Sequence, residues 1–198
     1  MTNIGCDFVA ESELIDCVSN KLTECLLPQP EPKLPDLGHG KTFRFGKIAN
    51  APNDASFAGG ISVNLGDYQI QEKLELSDWI DITGKILEIT GKITVDPRHI
   101  GETADILVVA GYIPPLEEEV TAYYMQNAEK LWFLWDGYME SLLPFQSLVT
   151  LEPTHFIELF TSNWLPDMPG KFRLYFGYRL ENGIIIFNGQ QQIEVEIE

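Results

Sequence analysis

Apolar and polar positions change rhythm along this chain, and the change divides it. Over residues 10–27, Leu14, Val18, Leu22 and Leu26 recur every four positions, with Glu11, Glu13 and Asp16 ahead of them and Ser12 as a candidate N-cap. That spacing puts the apolar side chains on one face of a helix, and acids in the first turn suit the positive end of its dipole. Pro28, Pro30, Pro32 and Pro35 then stop it, so Pro-Gln-Pro-Glu-Pro predicts an extended, semi-rigid tether. Leu37-Gly38-His39-Gly40 continues the irregular stretch. The pattern therefore predicts a helical segment at 1–27, a linker at 28–41 and a separate domain at 42–198.

From about residue 41 the period shortens to two. Thr42–Gly46 and Ile61–Leu65 alternate, Tyr68–Gln71 continues the second strand, and Asn53-Asp54 and Gly59-Gly60 punctuate between them. Ile86–Ile89 and Lys92–Val95 read as two short strands. Asp105–Tyr112 is almost wholly apolar, which predicts a central strand. Further candidates follow at 120–125, 131–135, 148–151, 155–160, 172–178, 184–187 and 193–197, and Asn182-Gly183 predicts a type I′ hairpin. Strands recurring every ~8 to 12 residues between turn residues predict an all-β, antiparallel sandwich or barrel. Ile82-Thr83-Gly84-Lys85 repeats as Ile89-Thr90-Gly91-Lys92; a shift of seven reverses the faces, so a bulge or turn is expected between the copies.

Charge narrows the functions. Thirteen Lys+Arg against 30 Asp+Glu leave a net charge of −17, which repels phosphate backbones and argues against nucleic-acid binding. Residues 1–55 carry 8 acids and 5 bases and residues 56–198 carry 22 and 8, so −3 against −14: the acidity belongs to the strand-rich part. Solubility accounts for such a surface; a cationic partner, Ca2+ or nucleic-acid mimicry are the functional alternatives. No apolar run is long enough for a membrane helix, so no membrane insertion is expected. Cys6, Cys17 and Cys25 all lie outside the strand-rich part and cannot staple it. The first residues lack a basic and apolar leader, which points to the cytoplasm, or to an extracellular site if the chain is part of a larger exported protein.

No catalytic or metal site emerges. His39, His99 and His155 sit in different segments without a second ligand at helical or strand spacing, and neither a Gly-x-Ser-x-Gly elbow nor a phosphate-binding glycine loop is present. The chain thus reads as no enzyme and as needing no cofactor. Glu117-Glu118-Glu119 reads as a solvated loop. The informative cluster is aromatic: Tyr123, Tyr124, Trp132, Phe133, Trp135, Tyr138 and Phe145, with Asp136-Gly137 as a turn. Trp132 and Trp135 are three apart on one strand, so they face opposite sides and one of them belongs to the core.

Val95-Asp96-Pro97-Arg98-His99-Ile100-Gly101-Glu102-Thr103-Ala104-Asp105-Ile106, then Trp135-Asp136-Gly137, then Leu174–Gly183 and an apolar strand to the end form a recognisable order. Over about 59–198 this resembles the immunoglobulin-like β-sandwich modules of large surface or secreted proteins of Gram-negative bacteria. The resemblance implies a non-catalytic binding or structural module. Within the motif, Asp105 enters the central strand and needs a partner, for which Arg98 or His99 is nearest in sequence. The expectation is an immunoglobulin-like sandwich with a short N-terminal helix on a Pro-rich tether. It would serve as a non-enzymatic protein–protein interaction module, with Leu14, Val18, Leu22, Leu26, Trp132, Trp135 and Tyr138 as the partner-binding residues. Alternatives are an acidic decoy that binds a basic protein surface, and an adhesin-like carbohydrate-binding or structural module. The exposed tether also makes the chain a possible protease substrate.

Overall fold

A computed structural model describes residues 31–44, 47–49, 52–74, 87–161 and 169–198, and every structural statement concerns these. The expected helix, with Leu14, Val18, Leu22 and Leu26, lies outside the described residues, as does Ile82-Thr83-Gly84-Lys85. The compact unit described here begins at Lys33.

Its strands are β1 (Asp36–His39), β2 (Lys41–Arg44), β3 (Lys47–Ala49), β4 (Ser56–Val63), β5 (Gln71–Leu74), β6 (Leu87–Thr94), β7 (Thr103–Ile113), β8 (Ala122–Gln126), β9 (Trp132–Trp135), β10 (Gln146–Thr150), β11 (Thr154–Thr161), β12 (Gly170–Leu180), β13 (Ile185–Phe187) and β14 (Ile193–Ile197). One sheet runs β1-β4-β6-β11. The larger runs β3-β2-β13-β12-β7-β8-β9, with β10 beside the first half of β7 and β14 between β12 and β5. Pairing is antiparallel except between β14 and β5. The all-β expectation and the central place of residues 105–112 hold: β7 pairs with β12 over ten positions and with β8 and β10 on its other side.

The facing surfaces make one apolar core. Leu37, Phe57, Ile61, Ile89, Ile93, Ile157 and Leu159 of the small sheet meet Ile106, Val108, Phe172, Leu174, Phe176, Tyr178, Ile193 and Val195 of the large one. Phe176 is seated where Gly59 and Gly91 pair across β4 and β6. A β-carbon at Gly91 would come within 2.7 Å of the Phe176 ring, and one at Gly59 within 2.9 Å of Ile193. Gly59 therefore leaves room for Ile193, and beside it Gly91 leaves a socket for the Phe176 ring. Phe57 closes it edge-on, with ring centroids 5.6 Å apart and planes at 71°.

The backbone of Phe176 sits at a gap. β14 covers β12 from Gly170 to Leu174, and β13 covers it from Gly177 to Arg179. Asn188, fully buried, bridges the interval. Its Oδ1 accepts from Phe176 N (2.8 Å), its own N–H donates to Phe176 O (3.1 Å), and its Nδ2 donates to Leu174 O (3.1 Å) and Gln191 O (3.3 Å). One side chain thus replaces a missing stretch of ladder.

A second polar anchor fixes the passage from β6 to β7. Buried Asp96 accepts from Arg98 N (2.9 Å), Arg98 Nε (3.0 Å), an Arg98 guanidinium nitrogen (2.6 Å) and Asp54 N (3.0 Å). Those bonds, the guanidinium first, hold its carboxyl well below the usual range. Arg98 is thereby taken, and Asp105 pairs instead with Arg179 (2.8 Å) and with Leu148 N (3.2 Å). His99 turns its Nδ1 to the Tyr178 hydroxyl, 2.9 Å away.

Several local expectations are corrected. Residues 36–39, expected as linker, form β1 because Leu37 is buried in the core and Pro35 O accepts from Gly59 N. The strand-bearing unit therefore starts before residue 42. Gly59-Gly60 lies inside β4, where close packing excludes a β-carbon, not at a turn. The two short strands expected at 86–89 and 92–95 are one continuous strand, β6, within the described residues, while the first copy of the repeated tetrapeptide lies outside them. The type I′ conformation occurs at Asn64-Leu65 (φ 54° and 59°), so Tyr68–Gln71 turns back on β4 and does not extend it. At Asn182-Gly183 only the glycine has positive φ (80°), which makes a three-residue loop with a bulge.

Replacing Asn188 with Ala leaves the Phe176 N–H buried and unpaired and removes the bonds to the Leu174 and Gln191 carbonyls, so urea unfolding should show a loss of about 2 kcal/mol. For Asp96 the folded pKa is lowered, so its stabilisation is complete above the unfolded value and disappears as pH falls through the folded one. Melting temperatures should accordingly decline below about pH 5, and Asp96→Asn, although less stable at neutral pH, should have a flatter acid limb.

Candidate functional site

The apolar run of β7 has a consequence on the side facing away from the core. Leu107 and Val109 point outward, and with Met125, Leu142 and Ile185 they form a second apolar cluster, extended by Phe43, Trp135, Met139 and Phe187. This cluster does not close. It surrounds a hollow of about 270 Å3 whose lining is almost entirely apolar. Tyr123, Trp135 and the turn carrying Met139 wall one side, Phe43, Ile48 and Phe187 the other, and Tyr175 and Gly177 lie on the floor.

Each wall has a local cause. Trp135 meets Tyr123 edge-on across β8 and β9, with centroids 6.1 Å apart and planes at 77°. Its Nε1 donates to Tyr138 O at 2.8 Å. The turn returning from β9 is tied by Asp136, whose Oδ1 accepts from Tyr138 N (2.9 Å) and from the Ser141 hydroxyl. Those bonds, the Ser141 hydroxyl first, lower the Asp136 pKa. Gly137 supplies the positive φ (86°) the turn requires. Arg179 clamps the far end of the turn through Met139 O (3.3 Å) and Leu142 O (3.2 Å) while paired with Asp105. On the floor, a β-carbon at Gly177 would fall 2.0 Å from Ile186 O, so only glycine lets β13 approach, and the bare backbone deepens the hollow. Tyr175, tilted against Phe187 with centroids 6.3 Å apart, has its phenol pushed up by burial and then by Tyr123. It remains a neutral hydrogen-bonding group at ordinary pH.

The sequence-predicted residues separate here. Trp135 lines the hollow, whereas Tyr138, 68% exposed, does not line it and meets Trp135 only through the carbonyl that accepts from its Nε1. Trp132 faces the other way and packs against the main core, as the spacing of three required. Phe43, Ile48, Leu107, Val109, Tyr175 and Phe187 were not anticipated as site residues. The available signal was the β7 run itself: a strand apolar on both faces needs a covered or occupied second face.

Chemically the hollow offers dispersion and hydrophobic contact, with little to polarise a bond. Among the described residues no group of three or more His, Cys, Asp or Glu side chains is arranged to hold a metal ion. His155 Nε2 accepts from Glu152 N (2.9 Å), and burial lowers its pKa. No helix among the described residues is long and apolar enough to cross a membrane.

Comparison with family models, curated proteins and solved structures gave no match. The functional reading therefore rests on this geometry.

The base of the outer cluster should behave as a true core, and Tyr138 beside it as surface. Leu107→Ala should cost about 2–4 kcal/mol in chemical denaturation, whereas Tyr138→Ala should stay within about 0.5 kcal/mol.

Proposed function

We propose that this protein is a non-enzymatic interaction module, an immunoglobulin-like sandwich that accepts a large apolar side chain of a partner protein in its outer hollow. The hollow carries the reading. It is apolar, walled by Trp135, Tyr123, Tyr175 and Phe187, and open beside Ile48, which is 59% exposed. Pockets of this kind receive the anchor residues that dominate protein–protein binding, while the surrounding contacts exclude water. The hollow, of about 270 Å3, has an almost wholly apolar lining and lacks the convergent polar groups that orient small-molecule ligands, which suits an apolar side chain. A sugar needs an open aromatic face with polar partners around it, and here the Trp135 Nε1 is already committed to Tyr138. The stripe of Leu14, Val18, Leu22 and Leu26 belongs to the same proposal as a second contact on the partner.

One observation favours a second reading, the acidic decoy. Lys73, Lys130, Arg98, Arg173 and Arg179 are engaged by acids of the same molecule, while Glu117, Glu118 and Glu119 stand exposed. A basic protein would meet little competing positive charge.

Selection of random peptides on the immobilised chain separates the two. Apolar anchoring predicts peptides sharing a large hydrophobic residue, binding that changes little between low and high salt, and at least a tenfold loss in Ile48→Glu. Enrichment of Lys/Arg-rich peptides whose binding collapses with salt supports the decoy. Hydrophobic peptides that bind Ile48→Glu equally well but are lost in Val18→Asp would move the contact to the N-terminal stripe.

A further inference from the structure

Charge is arranged unevenly around the hollow. Lys73, Lys130, Lys171, Arg98, Arg173 and Arg179 each lie within ion-pair distance of an acid. Among the described residues no acid lies that close to Lys33, Lys41 or Lys47. Only one of these three stands on the face of the hollow. Lys33 precedes β1 of the small sheet, and Lys47 pairs with Arg44, one position out of phase with Phe43 and Ile48. Lys41 is in phase with them.

The alternation of β2 fixes this. Thr42 is buried on the inner side, so Lys41 and Phe43 point outward. Phe43 lies opposite Ile185, and Lys41 lies opposite Phe187, which walls the hollow. A β-carbon at Gly189 would come within 2.6 Å of the Phe187 ring and 3.0 Å of the Lys41 β-carbon, so those two side chains start side by side. Lys41 is exposed and rises just outside the Phe187 wall. The opposite wall carries the other sign. Its turn holds Asp136 and Glu140, both exposed, and Arg179, which clamps that turn, is already paired with Asp105.

We propose that the partner segment seated in the hollow carries a carboxylate beside its large apolar anchor, and that Lys41 receives it. This rests on the reading of the hollow as an anchor pocket and names the chemistry of the occupant, an acidic and apolar peptide. Neighbouring strands are ~4.8 Å apart and alternate residues of one strand ~7 Å, so the acid belongs within two residues of the anchor. A base at that place would meet Lys41 and be rejected, so the lysine sorts anchors that the hollow alone would accept alike. An exposed ion pair adds a factor of about two to five in affinity, so the hollow supplies the binding and Lys41 the choice. The overall charge of −17 opposes an acidic partner from a distance, but at physiological salt it is screened beyond ~8 Å, and the contact with Lys41 is shorter than that.

Changing both partners of the contact separates it from the overall field. NMR titration of the isotope-labelled full chain at physiological salt reads affinity and place together. The probes are the end-blocked peptides Ser-Glu-Phe-Glu-Ser, Ser-Gln-Phe-Gln-Ser and Ser-Glu-Ala-Glu-Ser. Both Phe peptides should shift the amides of Leu107, Val109 and Gly177, with the Glu form the tighter, and the Ala peptide should not bind. The ratio of Glu-form to Gln-form affinity should fall two- to fivefold in Lys41→Gln and stay unchanged in Lys47→Gln, on the opposite face. Raising the salt to about 1 M should bring the two Phe peptides together while the Gln form changes little. Ile48→Glu should lose both. Equal affinity of the two Phe peptides for the unsubstituted chain, or a ratio unmoved by Lys41→Gln or moved equally by Lys47→Gln, overturns the acid contact and leaves the anchor pocket standing. Failure of both Phe peptides to bind, or equal binding of the Ala peptide, overturns the anchor pocket and the acid contact together.

Discussion

The seating of Phe176 organises this molecule in three directions at once. Inward, its ring fills the socket left by Gly91, which pairs with Gly59 across β6 and β4 and so sets how closely the sheets approach there. Along the sheet, its backbone is held by Asn188 where neither β13 nor β14 reaches, so one strand of the large sheet has two successive neighbours on the same side. Outward, the next residue is Gly177, whose bare backbone lets β13 approach and forms the floor of the hollow. A larger side chain at 91, an apolar one at 188 or any β-carbon at 177 would disturb the same few ångströms. The polar part of this arrangement is tolerated in a buried position because the Oδ1, Nδ2 and backbone N–H of Asn188 all have partners.

From this follows the unequal size of the sheets. The small sheet covers the middle of the large one, where β12 and β7 contribute Phe172, Leu174, Phe176, Ile106 and Val108 to the main core. On the reverse side no third sheet is described, yet Leu107, Val109, Tyr175 and Ile185 place apolar groups there. The turn 136–142 partly solves the problem by folding back over β7 under the clamp of Arg179. It buries Leu107 and Leu142 and leaves the remainder open. Filling that remainder with a partner's side chain, as proposed, would complete a layer that the described residues leave incomplete.

Strand existence was legible because period-two alternation and β-branched composition are local properties. The candidates from 105 onward each coincide with an observed strand, and the opposite facing of Trp132 and Trp135 followed from spacing alone. What could not be read depends on packing across the sheets. Gly59 and Gly60 look like turn residues until the side chains facing them are known, and the same is true of Gly91 in the repeated tetrapeptide. Leu37 looked like linker because its neighbours are Pro, Gly and His, although its own side chain is completely buried. Partner choice was also non-local: Asp105 found Arg179, 74 residues away, since Arg98 was already committed to Asp96. The hollow was half legible, in the doubly apolar β7, but its far wall of Phe43, Ile48 and Phe187 comes from strands that nothing local ties to it.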